Sequence, residues 1–316
     1  MCVNHLGVIM KRIDTAVEVT ATREKKRRTI AGAALTLVGA AAILLVVGVS
    51  QGGAAAAEQG KRALIGEARA GSLTVALAPV VEDVAVRGPA GRPIVVIDAG
   101  HGGRDPGASA VSGTVSEKQL TLALGRELAQ RLVDRGRVRV AMTRSSDRYL
   151  SLEQRAAIAR KIGASLYISL HMDSAPNPLA RGASVYSLSD VASDAEADRL
   201  ARSENAAGEA VSSEGNDSVR ALLSDLALRD QMSASADLAS RVVRKAAGQV
   251  ALRPEPHRFA AFHVLRRAET PAVLFEAGYI SNADDELMLT DPAKRGTIAL
   301  ALAQAIEADV AARRNR

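Results

Sequence analysis

At 316 residues, with 47% hydrophobic and 24% charged, the chain can bury a substantial core and is neither a disordered polymer nor a fibrous repeat. Aromatic residues are only 2% and Trp is absent, so the core must come from Ala, Leu, Val and Ile, and base-stacking platforms for nucleic acid are argued against. The net charge of +6 is local: residues 1–28 hold seven Lys/Arg against three Asp/Glu, which leaves +2 for the other 288 and no pointer to a nucleic-acid partner.

The N-terminus reads as an address. From Thr29 to Ala57 no residue is charged, and the apolar run Ile30–Val49 follows the basic cluster Arg23, Lys25, Lys26, Arg27, Arg28. Some twenty apolar residues span a bilayer with flanking positive charge on the inside. Small residues at Ala54–Ala57 offer a cleavage site, so residues 1–57 are expected to be an export signal, or an uncleaved anchor, that contacts the inner membrane. The rest is then expected in the periplasm or cell envelope. Cys2 is the only cysteine, so no disulfide framework and no thiol nucleophile is available to the folded part.

Residues 58–92 read as a linker with room for one short strand. A regular alternation follows. Apolar runs Ile94–Ile97, Val138–Met142, Leu166–Leu170, Ser184–Leu188 and Ala272–Phe275 predict strands. Helical patterns fall at Glu117–Arg135, Leu152–Ile162, Leu238–Gln249 and Thr297–Ala311, with Ser116 and Gln119 spaced for a capping box. Apolar strands alternating with helices predict an α/β domain over 93–312, its mostly parallel sheet covered on both faces. Residues 189–240 break the pattern with eleven Asp/Glu against four Arg. They are expected to form an acidic helical insert on the surface, with helices near Ala195–Val211 and Val219–Met232.

In open α/β sheets, sites form beyond the carboxyl ends of the strands. That rule selects His101 after the first strand, His171 after Leu166–Leu170, Glu276 at the end of Ala272–Phe275, and Glu117 at the start of the first helix. Two imidazoles and two carboxylates on one rim suit zinc, which takes three N or O ligands and leaves a fourth position open, with the spare carboxylate as general base. Spacing alone leaves His257 and His263 as rival ligands. The glycine-rich stretch Gly100–Gly107 is no phosphate loop, because neither the G-K-[ST] ending nor the third glycine of G-x-G-x-x-G is present. No H-E-x-x-H helix occurs either.

At these residues the sequence resembles the zinc-dependent N-acetylmuramoyl-L-alanine amidases of bacterial cell-wall turnover and division. The match lies in Ile97–Ala108 (IDAGHGGRDPGA), Ser116-Glu117-Lys118, Ser169-Leu170-His171, and Pro271–Gly278 (PAVLFEAG) with Ser281-Asn282, in family order. The resemblance implies a six-stranded α/β fold, His101, Glu117 and His171 as zinc ligands, and Glu276 as the catalytic carboxylate. It also implies peptidoglycan as substrate, cut at the amide between the muramoyl lactyl group and L-alanine. Arg144, in a family Thr-Arg pair, is assigned to support of the fold or to the substrate edge rather than to the chemistry, and Asp173, where Met172-Asp173 replaces the usual Ala-Asn, to the substrate edge.

Relatives in cell division carry an inserted helix that blocks the zinc until an activator protein displaces it. The resemblance therefore implies that Asp194–Val211 is such a plug, with one of Glu196, Glu204 and Glu209, Glu204 or Glu196 ahead of Glu209, at the open zinc position. Two other functions fit the same residues less well: a silent peptidoglycan-binding protein, and an exported zinc peptidase acting within the stem peptide.

Overall fold

The computed structural model describes residues 83–206 and 218–314, the side chains of 218–224 excepted. The leader, most of the 58–92 segment, Glu209 and the middle of the acidic segment lie outside the described residues. Among those described, no helix is long and apolar enough to cross a membrane.

Six strands form one sheet in the order β2-β1-β3-β6-β4-β5: β1 (Ile94–Ala99), β2 (Arg139–Met142), β3 (Leu166–Asp173), β4 (Ala183–Leu188), β5 (Leu252–Ala260) and β6 (Ala272–Tyr279). All neighbours pair in parallel except β4 and β6, so the sheet is mixed. The antiparallel step has a consequence for the site. It brings the first residues of β4 and β5 to the same rim as the last residues of β1, β3 and β6.

Alternate strand residues feed two cores. Val95 and Ile97 join the apolar cluster on one face, whereas Val96 joins that on the other. Helix α1 (Glu117–Arg135) lays Leu120, Leu124, Leu128 and Leu132 on the first face. Burying each such side chain is worth about 1.5–3 kcal/mol. Its capping box forms as the Ser116–Gln119 spacing predicts, and Gly136 ends it in the left-handed conformation, φ 63°.

The other helices are α2 (Leu152–Lys161), α3 (Ala195–Ala206), α4 (Ser218–Ala246), α5 (His263–Arg267), α6 (Ala283–Thr290) and α7 (Pro292–Arg314). The sequence splits α4 into two helices, Val219–Met232 and Leu238–Gln249. It is one helix of 29 residues, and Leu238, Ala239 and Val242 lie in the main core. Acidic residues on its exposed side hide the apolar stripe from a composition count. Sequence patterning also misses β5, because Pro254, Pro256 and charged side chains break its apolar run. An edge strand tolerates both, having only one partner to satisfy.

Candidate metal centre and active site

β1 ends at Ala99 and the chain turns sharply through Gly100 to His101, whose φ of 59° is a left-handed value unusual for a residue with a side chain. Arg155 of α2 holds this turn from behind. Its guanidinium donates to the His101 carbonyl at 2.7 Å, the Ala99 carbonyl at 2.8 Å and Asp98 Oδ1 at 2.7 Å. Thr143 and Ser169 hydroxyls donate to the same Asp98 carboxylate at 2.6 and 2.8 Å. Burial raises the pKa of Asp98, but Arg155, Thr143 and Ser169 outweigh it and hold the carboxyl down at about 2.

Four side chains converge at the rim. Glu117 Oε1 lies 3.1 Å from His101 Nε2 and 3.1 Å from His171 Nδ1. Glu204 Oε2, from α3, lies 3.8 and 3.4 Å from the same two nitrogens. His101, His171 and Glu204 also offer ligand atoms that all fall within 4.8 Å of one another. Each group is aimed by its surroundings. His101 Nδ1 is hydrogen-bonded to Asp105 Oδ2 at 2.9 Å, which turns Nε2 toward the cluster. Glu117 accepts the Met172 and Ala108 amides at 3.0 Å each. Two glycines make the space. A Cβ at Gly100 would sit 2.5 Å from the His171 ring, and one at Gly107 would sit 2.5 Å from Glu117 Oε2.

These residues fit a divalent ion. Four-coordinate zinc with bonds of about 2.0–2.1 Å sets its ligand atoms about 3.3 Å apart, close to the separations here. His101 Nε2 is buried with no hydrogen-bond partner among the described residues. Burial opposes protonation of His101, yet Glu117, Asp105 and Glu204 push its pKa up to about 11, the mark of a pocket that demands positive charge. The donor set of imidazole and carboxylate suits zinc.

Glu276 pairs in register with His171 across β3 and β6. It is 1% exposed, and neither carboxylate oxygen has a hydrogen-bond partner among the described residues. Burial, then the charges of Asp173, Glu117 and Glu204, hold its pKa well above the usual carboxylate range. Asp173, at the end of β3, is raised to about 6 by burial, against the pull of Tyr279. It lines, with His101, Glu117, Ser174 and Glu204, a cleft of about 430 Å³ opening at the rim.

Two sequence expectations need correction. Arg144 is fully buried, and its guanidinium donates to the carbonyls of Ala99, Gly100 and Lys118 at 2.8 Å. It pins the turn before His101 to α1 and cannot meet substrate. Glu196 is not at the cluster. It accepts from Arg253 at 2.9 Å, from Arg258 at 3.2 Å and from the Tyr279 hydroxyl at 2.8 Å. The rival histidines are also placed: His257 Nε2 is hydrogen-bonded to Ser187 Oγ at 2.9 Å, and the His263 amide donates to Asn205 of α3 at 2.8 Å. The sequence reading overlooked Asp98, Asp105 and Arg155 as supports.

Helix α3 joins polar contacts to a small apolar face, with Leu200 partly buried against the second core. Its only fully buried side chains are Ala197 and Ala201, both small. Asp194 caps it by accepting the Glu196 and Ala197 amides at 3.0 Å each, and pairs with Arg258. At its far end Asn205 donates to the Ala261 carbonyl at 2.9 Å.

A buried imidazole–carboxylate cluster on the rim of an α/β sheet, with a carboxylate unpartnered among the described residues beside it, has the donor set that a metal-assisted hydrolase uses. Residues 95–308 match the N-acetylmuramoyl-L-alanine amidase family, and the chain belongs to that family. It is 36% identical over 220 residues to N-acetylmuramoyl-L-alanine amidase AmiA of Escherichia coli (strain K12), covering 68% of this chain and 75% of that one. The probable amidase AmiB of Haemophilus influenzae is 34% identical over 212 residues, covering 65% of this chain and 49% of that one. Among solved structures, the catalytic domain of the amidase CwlV from Bacillus (Paenibacillus) polymyxa var. colistinus superposes with a TM-score of 0.52 at 28% identity. That match covers 68% of this chain and 96% of that one.

Proposed function

We propose that this protein is an exported zinc amidase that cuts the amide between the muramoyl lactyl group and L-alanine of peptidoglycan, and that α3 keeps it shut. The observation carrying the reading is the convergence of His101, His171, Glu117 and Glu204 beside the unpartnered carboxylate of Glu276. His101, Glu117 and His171 are the resident ligands, and Glu204 takes the position that substrate or water needs. A bound zinc supplies Lewis acidity for a carbonyl oxygen and lowers the pKa of water toward about 7. The charge-free run Thr29–Ala57 behind a basic cluster supports export.

The chain's own part is proton handling and positioning. Glu276 takes a proton from the attacking water on one of its free oxygens and returns it to the leaving L-alanine nitrogen. Its raised pKa favours holding that proton between the two steps. Displacing α3 withdraws the Glu204 carboxylate, the smallest of the influences that raise the Glu276 pKa after burial, Asp173 and Glu117, and opens the site. Asp105 and the Met172 and Ala108 amides keep the ligands aimed throughout. Because α3 buries so little apolar surface, a partner protein that competes for its polar contacts can free it; an activator of the division machinery fits that role.

The test is a digest of purified peptidoglycan by the zinc-loaded protein, read by mass spectrometry. Free stem peptides beside intact glycan are the expected products. Cuts inside the stem peptide, or no release from a protein whose α3 carboxylates have been removed, overturn the reading.

A further inference from the structure

Glu196 sits in a receptor that its own sequence does not require. Arg253 reaches it with two nitrogens, at 2.9 and 3.3 Å, Arg258 with one at 3.2 Å, and the Tyr279 hydroxyl at 2.8 Å. Neither arginine belongs to α3. Arg253 and Arg258 come from β5 and Tyr279 ends β6, so the receptor is part of the sheet and stays when α3 leaves. Its place follows from the topology. Asp173 pairs with Tyr279 in register just beyond the His171–Glu276 pair, which sets the receptor next along the same two strands.

Two clefts meet at α3. The one of about 430 Å³ holds the metal cluster, and a second of about 640 Å³ is walled by Arg253, Tyr279 and Glu196. Arg199 of α3 lines both. Removing α3 joins them into one groove from the metal ligands to Arg253. At the same time Asp194 and Glu196 go, leaving two guanidinium groups with Asp173 as the neighbouring carboxylate. One further carboxylate neutralises the cluster.

We infer that Arg253, Arg258 and Tyr279 form a carboxylate subsite for the stem peptide, which Glu196 fills in substrate's absence while Glu204 fills the metal position. On this view α3 imitates substrate at two points. The inference rests on the amidase reading for the identity of the peptide. The spacing selects the carboxylate. Eight helical residues separate Glu196 from Glu204, which is about 12 Å at 1.5 Å per residue. An extended peptide covers that length in about three to four residues, so the bound group belongs to the third or fourth stem residue, not to the alanine at the cut. Arginine forks suit such a group because they bind carboxylates in two-pronged fashion.

The experiment uses the full-length zinc-loaded chain with Glu196→Ala and Glu204→Ala, which empties both positions. To this background is added Arg253→Gln or Arg253→Lys. Substrates are a disaccharide–tetrapeptide with free carboxylates and the same molecule with carboxamides in their place. Arg253→Gln is expected to raise KM for the carboxylate substrate about tenfold, the worth of a charge-assisted hydrogen bond, and to leave kcat within about twofold. KM for the carboxamide should not move, and Arg253→Lys should recover part of the loss. In a second readout, calorimetric binding of the free tetrapeptide to the zinc-free background protein should weaken by a similar factor with Arg253→Gln. Equal losses on both substrates, or no change in KM and in peptide affinity, overturn the subsite. A background protein that releases no peptide at all instead refutes the amidase reading, and the binding titration still decides the subsite.

Discussion

Cutting the tie between Glu196 and the sheet should release basal activity by a calculable amount. Glu196 is about a quarter exposed, 28%, and Arg253, Tyr279 and Arg258 hold its carboxyl at about 2 against an ordinary 4.5. At about 1.4 kcal/mol per unit the full shift corresponds to about 3 kcal/mol. Solvent reaches the pair, so screening reduces that to about 1–2 kcal/mol. Glu196→Ala removes this from the shut state alone, provided Arg253 and Arg258 rehydrate when α3 lifts. The open population should then rise about five- to thirtyfold, since each 1.4 kcal/mol is tenfold in an equilibrium constant. Release of dye-labelled peptidoglycan fragments by the full-length protein should rise by the same factor, alongside faster amide exchange across residues 195–206. A folded, zinc-loaded Glu196→Ala protein with unchanged release and unchanged exchange would refute the latch. Lower release with faster exchange would show that α3 assists the reaction.

Three further outcomes follow from the same geometry. Glu276→Gln should cut peptide release by about 10²–10⁴-fold while zinc content, measured by atomic emission, stays at the parent level; retained activity would remove Glu276 from the mechanism. His101→Ala or His171→Ala should lower zinc content as well as activity, and chelation of the parent protein should abolish release until zinc is restored. Asp98→Asn leaves the Arg155 guanidinium buried without its partner and should cost about 3–5 kcal/mol in urea unfolding. The sign of its pH dependence is set by a folded pKa of about 2, below the ordinary 3.8. Asp98 therefore contributes stability that is fully present above pH 4 and lost as pH falls toward 2, about 2 kcal/mol in all, and the Asn variant should lack that acid limb.

Much of this molecule is written locally. Helix α1 begins and ends where its cap residues and leucine spacing place it, and β1, β3 and β6 form from continuous apolar runs because both their faces are covered. His101, Glu117, His171 and Glu276 were legible because the strand-end rule depends only on where strands stop. Local information fails where a choice depends on what lies across the fold. The β5 edge strand carries two prolines and tolerates them only because one side is unpaired. The antiparallel turn of β4 brings Arg253 to the rim, and no pattern within β4 announces it.

The acidic segment shows the division most clearly. Its charge announced carboxylates facing cations. Which carboxylate reaches the His101–His171 cluster is set by the register of α3 against the sheet, fixed by the Asp194–Arg258 pair at one end and Asn205 at the other. Glu204 therefore lies against His101 and His171, and Glu196 against arginines some sixty residues later in the chain. Sequence by itself determined the chemistry available, two imidazoles and a surplus of carboxylates, because ligand type is a property of single residues. Where each carboxylate lies is set by the tertiary structure, Glu117 and Glu204 against the imidazoles, Glu276 buried beside them and Glu196 against arginines, because distance, burial and neighbouring charge depend on residues remote in sequence.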